Sequence, residues 1–458
     1  MTSSSRRGLL QGLGALALLP ATARAADTPP NILFILADDM GWADLGAYGA
    51  RDWATPHLDR LAAQGIRFNQ GYANSAVCSA TRFGLITGRY QYRLRGGLEE
   101  PIGGNALGLP PEHPTLPSLL KARGYRTALF GKWHLGALPK YGPLKSGYDE
   151  FFGNTGGAVD YFTHKAGVGA DLAADLFEGE VRVDKAGYYT DLIAEHGQAF
   201  LRRQSTAQPF LLSLHFTAPH WPWEGPGDEA VSRQLKNLNH TDGGSLKKYG
   251  EIIAALDAAV GRVLATLEAQ GLAQNTIVVF TSDNGGERFS NTWPFTGQKS
   301  ELLEGGIRVP TLLRWPARVK PGQVSEQVLI SMDWLPTLLA AAGTAPQADY
   351  PSDGANLLPQ ILGQAAPLAR KLFWRYKSNA QRALRDGDWK YLQVNGNEFL
   401  FNLAQDVRER ANLAEREPAR LSQLRADWEA WNAGMLPITD DVRTYKISPK
   451  VQADRPGN

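Results

Sequence analysis

Asn31-Ile-Leu-Phe-Ile-Leu-Ala37, followed at once by Asp38-Asp39, is the stretch that decides the fold. An unbroken apolar run of this length, with no polar alternation, is the pattern of a strand buried on both faces of a central sheet. Similar runs recur at Tyr125–Phe130, Phe210–Phe216 and Thr276–Thr281, each closing on polar or glycine-rich sequence. Helical segments lie between them. Thr55-Pro56 opens one with a capping hydroxyl and a proline in its first turn, and Gly65 stops it. Leu246–Leu267 sets Ile252, Ile253, Leu256, Val260, Val263, Leu264 and Leu267 on one face against Lys247, Lys248 and Glu251. Strand and helix in alternation predict an α/β architecture with helices covering a mostly parallel sheet. Near residue 365 the pattern changes to short segments, Leu372–Tyr376, Gln381–Arg385, Trp389–Val394 and Phe399–Asn402, with an Asp386-Gly387 turn and a closing helix around Leu421–Trp431. The expected organisation is a main domain over 30–365 and a small α+β subdomain with an antiparallel sheet over 366–458.

At 458 residues, 43% hydrophobic and 21% charged, the chain has the makings of a large globular enzyme. Its 48 Lys and Arg against 46 Asp and Glu leave a formal charge of +2, too little for a nucleic-acid-binding surface. Residues 1–25 read as a cleaved export signal: paired Arg6-Arg7, a short apolar core from Leu9 to Leu19, and a small-x-small site at Ala23-Arg24-Ala25. The adjacent arginines suit twin-arginine export, so a periplasmic or secreted bacterial protein, free of the membrane after cleavage, is expected. With a single cysteine there is no disulfide framework, and Cys78 is either a small buried hydrophobe or a chemically special residue.

Ligand sites in open α/β sheets form beyond the carboxyl ends of the strands. Four segments stand there: Asp38-Asp39, Gly131-Lys132-Trp133-His134, Pro219-His220 and Ser282-Asp283-Asn284-Gly285-Gly286. Asp38, Asp39, Asp283 and Asn284 form an all-oxygen set suited to calcium or magnesium rather than zinc. Taken singly, each pair is more often a turn or a helix cap. Lys132 and His134, two apart, face one way if the strand continues through them. Trp221, Trp223 and Trp293 are near these segments in sequence and offer either sugar-stacking faces or packing.

The segment Cys78-Ser79-Ala80-Thr81-Arg82, continued by Leu85 and Thr87-Gly88-Arg89, closely resembles the signature of the type I sulfatase family, whose cysteine is oxidised to formylglycine. Asn31–Gly46, Gly131–Gly136, Asp283–Gly286, Gly297-Gln298-Lys299 and Glu304-Gly305-Gly306 resemble that family in the same order, over roughly residues 30–400. Ala80 is a departure, since the commonest signature has proline there, and it bears on which maturation system acts. The resemblance implies an alkaline-phosphatase-like three-layer sandwich. It also implies a calcium ion held by Asp38, Asp39, Asp283, Asn284 and the modified Cys78. Arg82 and Lys132 would steady the formylglycine, Lys132, His220 and Lys299 would grip sulfate, and His134 would act as base. The overall pattern looks most like the arylsulfatase and N-acetylgalactosamine-6-sulfatase branch.

The chemistry agrees with those roles. A thiol attacking sulfur would be trapped as a stable ester, whereas an aldehyde hydrate attacks through one hydroxyl and expels sulfate from the resulting covalent intermediate as the aldehyde re-forms. His220 or Lys299 would protonate the departing alcohol. The expected reaction is hydrolysis of an aryl or carbohydrate sulfate, with a formylglycine-generating enzyme as maturation partner. Two rivals stand beside it: a phosphodiester or phosphonate monoester hydrolase on the same scaffold, and a non-catalytic binder of sulfated glycans with an unmodified Cys78.

Overall fold

The apolar run at Asn31–Ala37 is the centre of the main sheet, hydrogen-bonded in parallel to Thr276–Ser282 on one side and Phe210–His215 on the other. The computed structural model describes residue 1 and residues 28–98, 107–167, 172–238 and 243–444. The export signal read over residues 1–25 therefore falls, but for Met1, outside the described residues. Across the sheet the strand order is Gln323–Ser325, Ile66–Phe68, Thr311–Arg314, Thr276–Ser282, Asn31–Ala37, Phe210–His215, Arg126–Gly131, Glu150–Gly153, Phe177–Glu178, Val181–Arg182. The five strands from Thr276 to Glu150 in that order are mutually parallel, and antiparallel pairings flank them on both sides.

Alternate residues of the central strand face opposite layers, as strand geometry requires. Leu33 and Ile35 pack with Ile252, Ile253, Leu256 and Val260 of the helix Leu246–Ala269. Ile32, Phe34 and Leu36 pack with Phe83, Leu85, Leu120 and Leu338 on the other side. Both faces are covered, so from Ile32 to Ala37 the strand carries no polar residue. The result is a three-layer α/β/α sandwich of the alkaline-phosphatase-like kind.

The C-terminal part is a four-stranded antiparallel meander, Lys371–Tyr376, Gln381–Asp386, Trp389–Val394 and Asn397–Asn402, with the helix Pro418–Asn432 laid on it through Leu424 and Trp428. Its other face shares a core with Tyr72, Ala76, Val77, Leu302 and Ile307 of the main body. Buried charge crosses the same boundary: Lys390 Nζ lies 2.9 Å from Glu304 Oε1 and 2.8 Å from Glu409 Oε1.

Two local expectations are corrected. Thr55 precedes the helix Pro56–Ala63, but its hydroxyl does not cap it. That oxygen accepts from Gly46 N at 2.9 Å and contacts Asp59 Oδ1 at 3.1 Å, tying the helix to the preceding loop instead. The extended backbone also does not continue through Lys132 and His134. Gly131 turns the chain at φ 114°, where an added Cβ would meet His215 O at 1.9 Å, and His134 is itself left-handed at φ 57°.

Just past the third of these parallel strands, burial pushes the Glu224 carboxyl up to about 9, with Asp160 reinforcing the shift. The folded state thus holds a proton that the unfolded chain releases above its ordinary value near 4.5. Stability is fully present below that value and is lost as pH rises toward 9. Glu224→Gln, which keeps an acceptor for Tyr161 N, is expected to melt about 2 °C or more higher than wild type at pH 8, with the gap closing by pH 4.5. Melting curves at the two pH values check it, and a lower melting point at pH 8 contradicts it.

Candidate active site

The register of the parallel strands sets the site. Ala37 lies opposite Ser282, Leu36 opposite His215, and His215 opposite Gly131, so the strands end level with one another. Asp38, Asp283 and Lys132 consequently leave the sheet along one edge. Asp39 takes a left-handed turn at φ 61°, held by Asp283 Oδ1, which accepts its N–H at 3.2 Å. Strain of this kind persists only where surrounding contacts over-determine the backbone.

Cys78 is the first residue of the helix Cys78–Thr87, every residue of which is buried. Its Sγ is 3.9 Å from Asp39 Oδ1. Arg82, one turn along on the same face, donates from Nε and Nη2 to Asp283 Oδ2 at 3.0 and 2.8 Å and from Nη1 to Lys132 O at 3.0 Å. Lys132 Nζ donates to Asp38 Oδ2 at 2.6 Å. Lys299 Nζ donates to Asp39 Oδ2 at 2.7 Å and lies 3.2 Å from His220 Nε2. Asn284 Nδ2 donates to Asp39 Oδ1 at 2.7 Å. Ser79 Oγ donates to His134 O at 2.8 Å, pinning the loop that carries His134 to the Cys78 helix. All ten residues expected at the site are buried around this point. One ligand atom from each of Asp38, Asp39, Cys78 and His220 lies within 4.8 Å of the others, so His220 joins the group that surrounds the thiol.

The electrostatics follow from burial among opposite charges. Burial alone would raise the Asp39 carboxyl, yet the Lys299 and Lys132 ammonium groups hold it down at about 2. Burial and the neighbouring Asp38 raise Asp283 to about 7, against the pull of Arg82. The Cys78 thiol is pushed well up by burial despite Lys132 and Lys299, and His134 and His220 are pushed well down by burial and by the nearby cations. His220 Nδ1 is 2.7 Å from Trp221 O. A carbonyl only accepts, so Nδ1 carries the proton and the Nε2 lone pair faces the Lys299 ammonium.

Two oxygens show whether a hard cation fits. Asp38 Oδ1 and Asn284 Oδ1 are buried and have no hydrogen-bond partner among the described residues. Unpaired buried oxygens are costly and call for an ion or a water. A cation with oxygen ligands suits them.

Three further residues belong to the site that the sequence did not single out. Glu287 Oε2 lies 3.7 Å from Lys299 Nζ and accepts from Trp221 Nε1 at 3.2 Å. It directly follows Gly285-Gly286 and is legible as part of that loop. His215 Nδ1 is 3.3 Å from Lys132 O, but it ends an apolar run and carries no mark in the sequence. Gln381, from the C-terminal meander, contacts the Lys299 loop. Of the tryptophans, Trp221 lies against the His220 ring, with centroids 4.4 Å apart. Trp223 is packed between Phe289 and Arg288, and Trp293 is exposed beneath Arg408.

Beyond the parallel-sheet edge, three carboxylates and three buried cations gather around one thiol, a setting that suits an anionic group beside a hard cation. A profile of the sulfatase family matches residues 30–344. N-acetylgalactosamine-6-sulfatase of Homo sapiens is 35% identical over 390 residues, covering 80% of this chain and 72% of that one. Arylsulfatase J of Mus musculus is 29% identical, covering 94% and 80%. Among solved structures, Ps i-CgsB superposes with a TM-score of 0.80 at 29% identity over 88% of this chain and 93% of that one, and it is also solved in complex with k-i-k-neocarrahexaose. The chain belongs to the sulfatase family, and its activity is the hydrolysis of sulfate esters.

Proposed function

We propose that the substrate is a carbohydrate sulfate, that Cys78 acts after conversion to formylglycine, and that calcium, with magnesium as the alternative, is held by Asp38, Asp39, Asp283, Asn284 and the modified side chain at 78. The observation that carries this reading is a mismatch. A soft thiol, pushed well above its ordinary range by burial, stands 3.9 Å from a carboxylate among hard oxygen donors. A protonated thiol is a poor nucleophile and a poor partner for a hard cation; an oxygen-bearing side chain in the same place is neither.

Held by those residues, calcium would supply Lewis-acid polarisation and positive charge at the site. Hydrated formylglycine supplies the attacking hydroxyl. The chain's own residues do the rest. Lys132 and Lys299 offset charge on the sulfuryl oxygens, and the N-terminus of the Cys78 helix adds its positive end. Arg82 orients Asp283 and the Lys132 backbone. The family resemblance gives His134 the role of base; burial and the nearby cations keep it neutral, with a lone pair to offer, and at the same time make it a weak base. Since His220 Nε2 accepts from Lys299, Lys299 is the group with a proton to give the departing alcohol, and His220 aims it. Support for a sugar substrate comes from the sulfated-sugar relative, the oligosaccharide complex and the Trp221 ring beside His220. Maturation by a formylglycine-generating enzyme and twin-arginine export to the periplasm complete the reading.

The test uses protein from its native host. The tryptic peptide containing residue 78 is expected to be lighter than its thiol form, and sulfate release from a 6-sulfated amino sugar is expected to exceed that from a simple aryl sulfate and from the matched phosphate ester. An intact thiol in fully active protein overturns the formylglycine assignment, and faster aryl or phosphate hydrolysis overturns the substrate class.

A further inference from the structure

Lys299 owes its place to backbone contacts rather than to regular structure. Its N–H donates to Gly286 O at 2.9 Å, and the next residue, Ser300, is left-handed at φ 72° with its N–H on Ala76 O at 2.9 Å. A β-carbon residue in that conformation stays there only when held. The C-terminal meander does the holding. Gln381, buried at the start of its second strand, donates from Nε2 to Ser300 O at 2.8 Å and accepts at Oε1 from Leu302 N at 2.8 Å. One amide thus bridges both ends of the turn that follows Lys299. Four residues past Ser300, Glu304 is anchored to the same sheet by Lys390 at 2.9 Å, and its N–H donates to Glu409 Oε2 at 2.6 Å.

We propose that Gln381 is a positioning residue for Lys299, so that the C-terminal subdomain completes the active site without touching substrate. The Gln381 side chain fixes the Ser300 and Leu302 backbone, the backbone fixes the direction in which Lys299 leaves the loop, and that direction sets Lys299 Nζ between Asp39 and His220. A small rotation there removes the ammonium from sulfate and from the leaving oxygen together, which positional catalysis tolerates poorly. This rests on the role given to Lys299 above.

A double-mutant cycle on the matured enzyme, assayed with an activated aryl sulfate so that impaired variants remain measurable, tests it. Gln381→Met keeps the volume and removes both hydrogen bonds to the Lys299 loop, together with a third, to Ser378 O at 3.1 Å within the meander, whose loss is common to both backgrounds. It is expected to lower kcat/KM about tenfold in the wild-type background and less than about twofold in Lys299→Ala, while its shift in Tm is the same in both. Loss should also grow with the basicity of the leaving alcohol in the single variant and not in the double. Gln381→Glu, which keeps the acceptor for Leu302 N, carries the same cycle should the methionine variant not fold. Equal losses in both backgrounds, or no loss, overturn the positioning role. An unimpaired Lys299→Ala enzyme instead overturns the role of Lys299 itself, and the reason for positioning goes with it.

Discussion

Cys78→Ala is expected to lower sulfate-ester turnover about ten-thousandfold or more while leaving the fold in place. The site explains why both halves hold. The Cys78 side chain is buried, and among the described residues its one hydrogen bond is a weak one, to Asp39 at 3.9 Å. Removing one sulfur therefore opens a small void worth about 1 kcal/mol. The surrounding pairs, Lys132 with Asp38, Lys299 with Asp39 and Arg82 with Asp283, do not pass through it. The other residues expected at the site, Asp38, Asp39, Arg82, Lys132, His134, His220, Asp283, Asn284 and Lys299, bring charge, an amide or a proton but no second thiol or hydroxyl. Steady-state rates and melting curves on the same preparation check this. A variant that keeps its melting point and a substantial fraction of activity refutes the nucleophile; a collapsed melting point shows instead that the thiol packs the core.

How far the sequence goes is clear from particular residues. The central strands are legible because burial on both faces leaves few polar interruptions, Ser213 being one, and their ends are legible because Asp38 and Asp283 close two of the runs and Lys132 and His220 follow shortly after the others. That these ends are level is a matter of register between strands far apart in sequence, and no local pattern records it. Cys78 is different again. It reaches Asp39 from a helix on another layer, and apart from its signature nothing distinguishes it from a small core residue. The His134 and Asp39 backbones, both left-handed, defeat any extrapolation of strand geometry past the sheet. Gln381 is least legible: an ordinary polar residue at the start of a strand, it gains meaning only when the meander docks on the Lys299 loop. Thr55 shows the opposite error, a hydroxyl in the right place for a cap but drawn to Gly46 N and Asp59.

The balance of charge at the site ties the calcium proposed there to the stability of the fold. Asp38, Asp39 and Asp283 face Arg82, Lys132 and Lys299 in a buried cluster, so on the proposed reading each carboxylate serves both as partner to a buried side-chain cation and as an oxygen donor to calcium. Removing one disturbs two functions at once, and the two are separable by experiment.

Asp38→Ala is expected to cost activity about a thousandfold or more and to release the calcium measured by atomic emission on extensively dialysed protein. It should also destabilise the fold by about 3–5 kcal/mol, because Lys132, 0% exposed and 2.6 Å from Asp38 Oδ2, would be left as an unpaired buried charge. That penalty has a remedy that leaves the metal site broken. Adding Lys132→Met removes the stranded ammonium at similar volume, so the double variant should recover most of the melting temperature and neither calcium nor turnover. If Asp38 were only a partner for Lys132, the folded double variant would retain calcium at the wild-type level. If it is a ligand, as the proposed reading has it, stability returns while the ion does not, and calcium unchanged in either folded variant removes Asp38 from the metal site.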